Sequence, residues 1–154
     1  MVVSDHEIAS RVGIQILQNG GNAVDAAVGV GFALAVTFPS AGNIGGGGFM
    51  VIRLNNSLET TIDFRETAPG LADKNMYLDD DGNYIDSLSQ SGWSSVGVPG
   101  SVAGLIYAHK KYGRLDFAQI IQPAIDLAIE GFELEYSQTQ RFEDYSEKLW
   151  QYES

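Results

Sequence analysis

The 154-residue sequence has no cysteine, four prolines, two histidines, and nine Lys plus Arg against 20 Asp plus Glu, for a formal net charge of -11. The absence of cysteine excludes a disulfide scaffold and removes any dependence on redox compartment. So few basic residues argue against a nucleic-acid partner, because the average surface repels a phosphate backbone. No run is long enough to span a bilayer. The longest apolar stretch, Ala26 to Val36, falls short of the roughly 20 residues required and carries Gly29 and Gly31, so it is expected to be a buried core helix. Met1 to Asp5 show no basic region leading into an apolar run, and no secretory signal is read there. What is abundant is hydrophobic residues, 44% of the chain, and 18 glycines, a composition suited to a folded unit of about one domain's length.

Periodicity supplies the elements. Ser4 followed by Glu7 has capping-box spacing, and Ile8, Val12 and Ile16 recur every four residues up to Asn19-Gly20-Gly21, which predicts a first helix. Asn22 is placed to cap a second helix over 23–37, apolar on nearly all sides and closed by Pro39. Residues 49–54 and 60–64 read as a hairpin around Asn55, Asn56 and Ser57. A polar excursion over 67–95 is expected to hold only short helical pieces, a length that in a compact domain points to function. Residues 96–99 read as extended and 101–112 as a helix, with Gly113 expected as a left-handed cap. A last apolar helix starts near Asp116, and Pro123 predicts a kink or a break into two helices. From Glu130 onward acids dominate, and Trp150 and Tyr152 sit at the end of a segment that reads as cut. With no internal repeat or linker, residues 1–154 are expected to form a single unit.

Several motifs fail on spacing. Gly45 to Gly48 lack the Lys-Ser/Thr of a phosphate loop, and the dinucleotide pattern would need glycine at Met50. Ser101 is not in a nucleophile elbow, because Pro99 and Ala103 stand where glycines belong, and it reads as a helix-start residue. Placing Gly82 at the sixth position of a calcium loop puts Tyr77 first and Leu88 last, where carboxylates are needed, so Asp79 to Asn83 read as a solvated turn. His6 and Glu7 open a metalloprotease pattern that Ser10 breaks, and two histidines without cysteine do not build a histidine-rich metal centre. No metal and no cofactor are expected. Thr60 and Thr61 lie inside a predicted strand, whereas a threonine that uses its own α-amine as base must stand at a chain terminus.

Two segments remain unusual: NGGNAVDAAVGVGFALAVTFPSAGNIGGGGFM at 19–50 and IDFRETAP at 62–69. With SVGVPGSVAGLIYAHKKYG and QPAIDLAIEGF, they resemble the N-terminal part of the large subunit of the γ-glutamyltranspeptidase (γ-glutamyltransferase) family, a likeness that runs from about Val3 to Phe132. The resemblance implies an α/β fold, part of the four-layer αββα sandwich of N-terminal-nucleophile hydrolases and incomplete in this chain. It also implies a precursor that cuts itself into large and small subunits. The threonine exposed on the small subunit attacks the γ-glutamyl amide of glutathione or a related compound. It then passes the acyl group to water, an amino acid or a peptide, with backbone N–H groups stabilising the oxyanion.

Within that resemblance the arginine of DFRE holds the donor's α-carboxylate, and Arg65 is the position that inherits the role. A planar guanidinium pairs bidentately with a carboxylate where a lysine would not. Read without the resemblance, Arg65 is more simply a salt-bridge partner of Asp63 or Glu66 at a strand end. Glu66 is expected to orient Arg65 or cap a backbone group, and Asp25 to be a favourable charge at the positive end of the second helix. The four glycines are expected where backbone packs tightly, bends or takes positive φ.

No catalytic residue is expected in this chain. The nucleophile and the oxyanion glycines belong to the missing C-terminal part, so the segment alone is predicted inactive. Its expected partners are γ-glutamyl compounds and the small subunit, and family habit places such enzymes in the periplasm or at the cell surface. A non-catalytic assembly module, an acylase, or an enzyme that processes poly-γ-glutamate are the competing readings. The DFRETAP motif favours a donor with a free α-carboxylate over a β-lactam.

Overall fold

The computed structural model describes residues 1–150; residues 151–154, with Tyr152 and Glu153, lie outside the described residues. Its elements are α1 (Glu7–Gln18), α2 (Ala23–Thr37), a hairpin of β1 (Phe49–Arg53) and β2 (Glu59–Asp63), α3 (Asp86–Gln90), a 3-10 turn at Trp93–Ser95, α4 (Ser101–Tyr112), α5 (Phe117–Glu130) and α6 (Tyr136–Leu149). The architecture is mixed, helices around a small antiparallel sheet.

α2 is the hub, packing against α1, α4 and α5. Asn22 accepts from the N–H groups of Val24 and Asp25, Asp25 accepts from Asn22 in return, and Phe38 ends the helix before Pro39. Val24, Val28, Val30, Phe32 and Ala33 are buried on it, facing Ile16 of α1 and Ile120 of α5. Each large side chain in that cluster contributes about 1.5–3 kcal/mol through the apolar area it withdraws from water.

In the hairpin, Phe49 pairs with Asp63 and Ile52 with Thr60, so Ile52 and Ile62 face the core while Phe49 and Val51 look outward. Ser57 takes φ 64 in the turn, and Leu58 N–H is held by Asn56 Oδ1. The long excursion is as expected: α3, the 3-10 turn and two isolated bridges, Leu78 with Tyr84 and Thr67 with Val98, the second closing its neck.

Two local expectations are corrected, the alternatives at Pro123 are narrowed, and one helix stands where the sequence suggested none. α1 is capped by His6, whose Nδ1 accepts from Ile8 N–H, while Ser4 Oγ bonds the His6 carbonyl and Ser10 Oγ; the Ser4–Glu7 box does not form. Gly113 is not left-handed, with φ -71 and ψ 167. Glycine stands there because a Cβ would lie 2.6 Å from Asp25 Oδ1 and from the His109 carbonyl. α5 runs unbroken through Pro123, with Asp116 and Gln119 forming its capping box. Proline removes the N–H that would reach the Gln119 carbonyl without breaking the helix. The acidic segment after Glu130 folds into α6, whose cap pairs Glu135 with Gln138. Gln138 is buried and donates to the Thr37 carbonyl at the end of α2, an anchor that charge counting does not register.

Candidate functional site

The residue singled out by the sequence sits where β2 ends. Glu59 to Asp63 form the strand, and Phe64 prolongs the ladder by pairing with Gly48, its N–H donating to the Gly48 carbonyl at 3.0 Å. Arg65 follows. Its backbone N–H donates to Asp63 Oδ1 at 3.0 Å and its residue is exposed. Among the described residues Arg65 makes no ion pair with Asp63, Glu66 or any other carboxylate. A guanidinium presented in this way has its fork of donors available for an incoming carboxylate.

Glu66 does not take the role expected of it. Among the described residues it neither pairs with Arg65 nor caps a backbone N–H; its carboxylate lies against the Gly46–Gly47 backbone instead.

The glycine run and the start of α4 flank this exit. The Gly46 carbonyl accepts from both Gly100 and Ser101 N–H at 2.9 Å, capping α4 in place of a side chain. Of the expected reasons for the glycines, a turn and bend at Gly45–Gly46 and close packing at Gly47 are realised, and positive φ is not: a Cβ on Gly47 would lie 2.6 Å from Glu66 N and 2.7 Å from the Phe64 carbonyl. An open cleft of about 540 Å³ runs along β2, lined by Thr61, Asp63, Phe64, Gly100, Gly104 and Tyr107. A second cavity of about 250 Å³ lies behind the glycine run, with Asn43, Gly46, Gly47, Glu66 and Ser101 among its walls. Arg65 lines neither. A third, mostly apolar groove between Pro39 and α6, walled by Phe142 and Tyr145, carries no acid–base group at the strand exit.

The remaining titratable candidates are structural. Ser101 opens α4 and is buried, and Thr60 and Thr61 lie within β2. His109 Nε2 is 2.8 Å from the Leu115 carbonyl and 3.8 Å from Asp25 Oδ1. Asp25 exceeds its expected part. Fully buried, it accepts from Asn22 N–H at 2.9 Å and from Arg114 N–H at 3.0 Å to each oxygen, tying α2 to the α4–α5 connection. The Asp79 carboxyl sits below its ordinary 3.8, first through the Asn83 backbone N–H and then through the Asn83 side chain, so its oxygens serve its own turn. Among the described residues no three His, Cys, Asp or Glu gather as a metal site, and no helix is long and apolar enough to cross a membrane.

The sequence reading singled out Arg65 and passed over Phe64 before it, and Gly100 and Gly104, which pack against Phe64. The signal for them was the small-residue spacing of PGSVAG, legible only once its neighbour in space is known.

Residues 9–154 match the sequence model of the family described as Gamma-glutamyltranspeptidase. The chain is 58% identical to the glutathione hydrolase proenzyme of Pseudomonas sp. (strain A14), over 88% of this chain and 24% of that protein. It is 53% identical to the glutathione hydrolase proenzyme of Escherichia coli (strain K12), over 86% of this chain and 23% of that one. The chain therefore spans about a quarter of the length of these curated relatives. Among solved structures, the gamma-glutamyltranspeptidase of Helicobacter pylori superposes with a TM-score of 0.95 at 48% identity, covering 99% of this chain and 44% of that one.

Proposed function

Because the chain belongs to the γ-glutamyltranspeptidase family, we propose that it is the N-terminal part of the large subunit of a γ-glutamyltransferase and glutathione hydrolase, and that Arg65 holds the α-carboxylate of the γ-glutamyl donor. The observation that carries the assignment is the state of Arg65: exposed, one residue beyond Phe64, with no carboxylate partner among the described residues. An arginine serving only as a strand-end salt bridge would have used Asp63, whose Oδ1 instead takes the Arg65 backbone N–H.

In this reading residues 1–154 act as one unit that supplies scaffold to a four-layer αββα sandwich. The remaining three quarters of the precursor supply the threonine nucleophile, the oxyanion donors and the groups that hold the donor's amine. The threonine attacks the γ-carbonyl, the amide C–N bond breaks, and its nitrogen leaves with a proton. The γ-glutamyl ester is then resolved by water, an amino acid or a peptide. Arg65 contributes orientation, presenting the distal carbonyl to the nucleophile by fixing the opposite end of the substrate. The segment alone turns nothing over, its substrates are γ-glutamyl compounds such as glutathione, and the assembled enzyme works in the periplasm or at the cell surface.

The test uses the complete, self-processed protein. Arg65→Ala lowers kcat/KM for a γ-glutamyl anilide by about 2–4 kcal/mol in transition-state terms, roughly 30- to 1000-fold, mostly through KM. A γ-aminobutyryl anilide keeps the scissile amide and the chain to it but lacks the α-carboxylate, and it loses nothing further in the variant. Unchanged donor kinetics in Arg65→Ala would remove the assignment.

A further inference from the structure

We infer that Phe64, Gly48 and Gly104 form a positioning slot for Arg65, a deepening that rests on the carboxylate role proposed above. Phe64 is a partly buried wedge packed against the core, and two of the sites its ring meets, Gly48 and Gly104, carry no side chain. A Cβ on Gly104 would overlap Phe64 Cγ and Cβ, and one on Gly48 would lie 3.0 Å from Phe64 Cε2. The same squeeze continues along the backbone. A Cβ on Gly100 would overlap the Phe64 carbonyl, and one on Gly47 would lie 2.6 Å from Glu66 N. Residues 64–66 thus run between two walls of bare backbone, the glycine run on one side and the first turn of α4 on the other.

The walls are locked to each other, because the Gly46 carbonyl accepts from Gly100 and Ser101 N–H. Immediately beyond, Thr67 and Val98 exchange backbone hydrogen bonds at 3.2 and 2.9 Å. Among the described residues Arg65 is held by its backbone N–H, through Asp63, and by no side-chain bond. The direction in which its guanidinium leaves the sheet is therefore set by the seating of Phe64, and a methyl group in the slot shifts Arg65 without touching it.

The experiment uses the complete, self-processed protein. Gly104→Ala raises KM for the γ-glutamyl anilide roughly tenfold or more, since a displacement near 1 Å at a binding group costs up to ~100-fold, while kcat stays within about threefold. Combined with Arg65→Ala, the glycine substitution adds less than about twofold, because the two act through one contact. A KM unchanged in Gly104→Ala while Arg65→Ala raises it overturns the slot and leaves the carboxylate role standing. An effect of Gly104→Ala that persists in full beside Arg65→Ala overturns it too, since the glycine then acts elsewhere. An Arg65→Ala variant with normal KM sinks both. Should Gly104→Ala fail to self-process, Gly48→Ala, the milder intrusion, is held to the same criteria. Failure of both to mature while Arg65→Ala matures would assign the slot to folding alone and overturn its positioning role.

Discussion

Replacing Asp25 by alanine separates two accounts of a buried charge. As a favourable charge at the positive end of α2, it would be worth about 0.3–1 kcal/mol. The structure gives it more to do: fully buried, it accepts from Asn22 N–H at 2.9 Å and from Arg114 N–H at 3.0 Å. Alanine leaves both N–H groups without their acceptor, at about 1–3 kcal/mol each, and removal of the carboxylate's own desolvation returns part of that sum. A net loss of about 2–4 kcal/mol is expected for Asp25→Ala. Native-state hydrogen exchange on the complete protein reads this locally. The Asn22 and Arg114 amides should exchange about 30- to 1000-fold faster, and Asp25→Asn, which keeps one acceptor oxygen, should fall between. Protection within about fivefold of wild type, the range of the helix-end account, would refute the tie between α2 and the α4–α5 connection.

Further outcomes follow from neighbouring geometry. Gly113→Ala should destabilise by about 1–3 kcal/mol and Gly113→Asn by more, measured by denaturant unfolding, because the site is crowded by Asp25 and His109 at φ -71; a left-handed site would rank asparagine above alanine. Gln138→Ala removes the donor to the buried Thr37 carbonyl and the acceptor for Glu135 N–H, and should loosen α6 by about 1–3 kcal/mol, seen as protease cutting between 131 and 136. The Asp79 carboxyl is held below 3.8 by Asn83, so its contribution to the 79–83 turn is present above pH 3.8 and lost as pH falls through the lower folded value. The Asn83 amide resonance should therefore titrate with a midpoint below pH 3.8, and Asp79→Asn should abolish that movement.

What was legible in the sequence is what depends on neighbours along the chain. Asn22 capping α2, the hairpin turn at Asn55 to Ser57, and α4 over 101–112 all rest on contacts a few residues long. Family membership was equally legible, through AGNIGGGGF and DFRETAP, and with it the choice of Arg65. Misreadings arose where two local signals competed. Ser4 and His6 were both able to cap α1, and spacing alone favoured the wrong one. Pro123 left a kink or a break open, and the helix is not broken there. The helix after Glu135 was hidden by its charge, since the residue that anchors it, Gln138, finds its partner 101 positions away.

The sequence by itself determined α1, α2, α4, the hairpin and, through its motifs, the family, because propensity, capping and motif spacing act over a single turn or a few consecutive residues. Only the tertiary structure decided that Arg65 stands unpaired among the described residues, that Asp25 is a buried tie, and that Phe64 sits between glycines from two distant segments. Those facts depend on which backbones approach within a methyl group's width of each other, and such an approach is a property of three-dimensional packing.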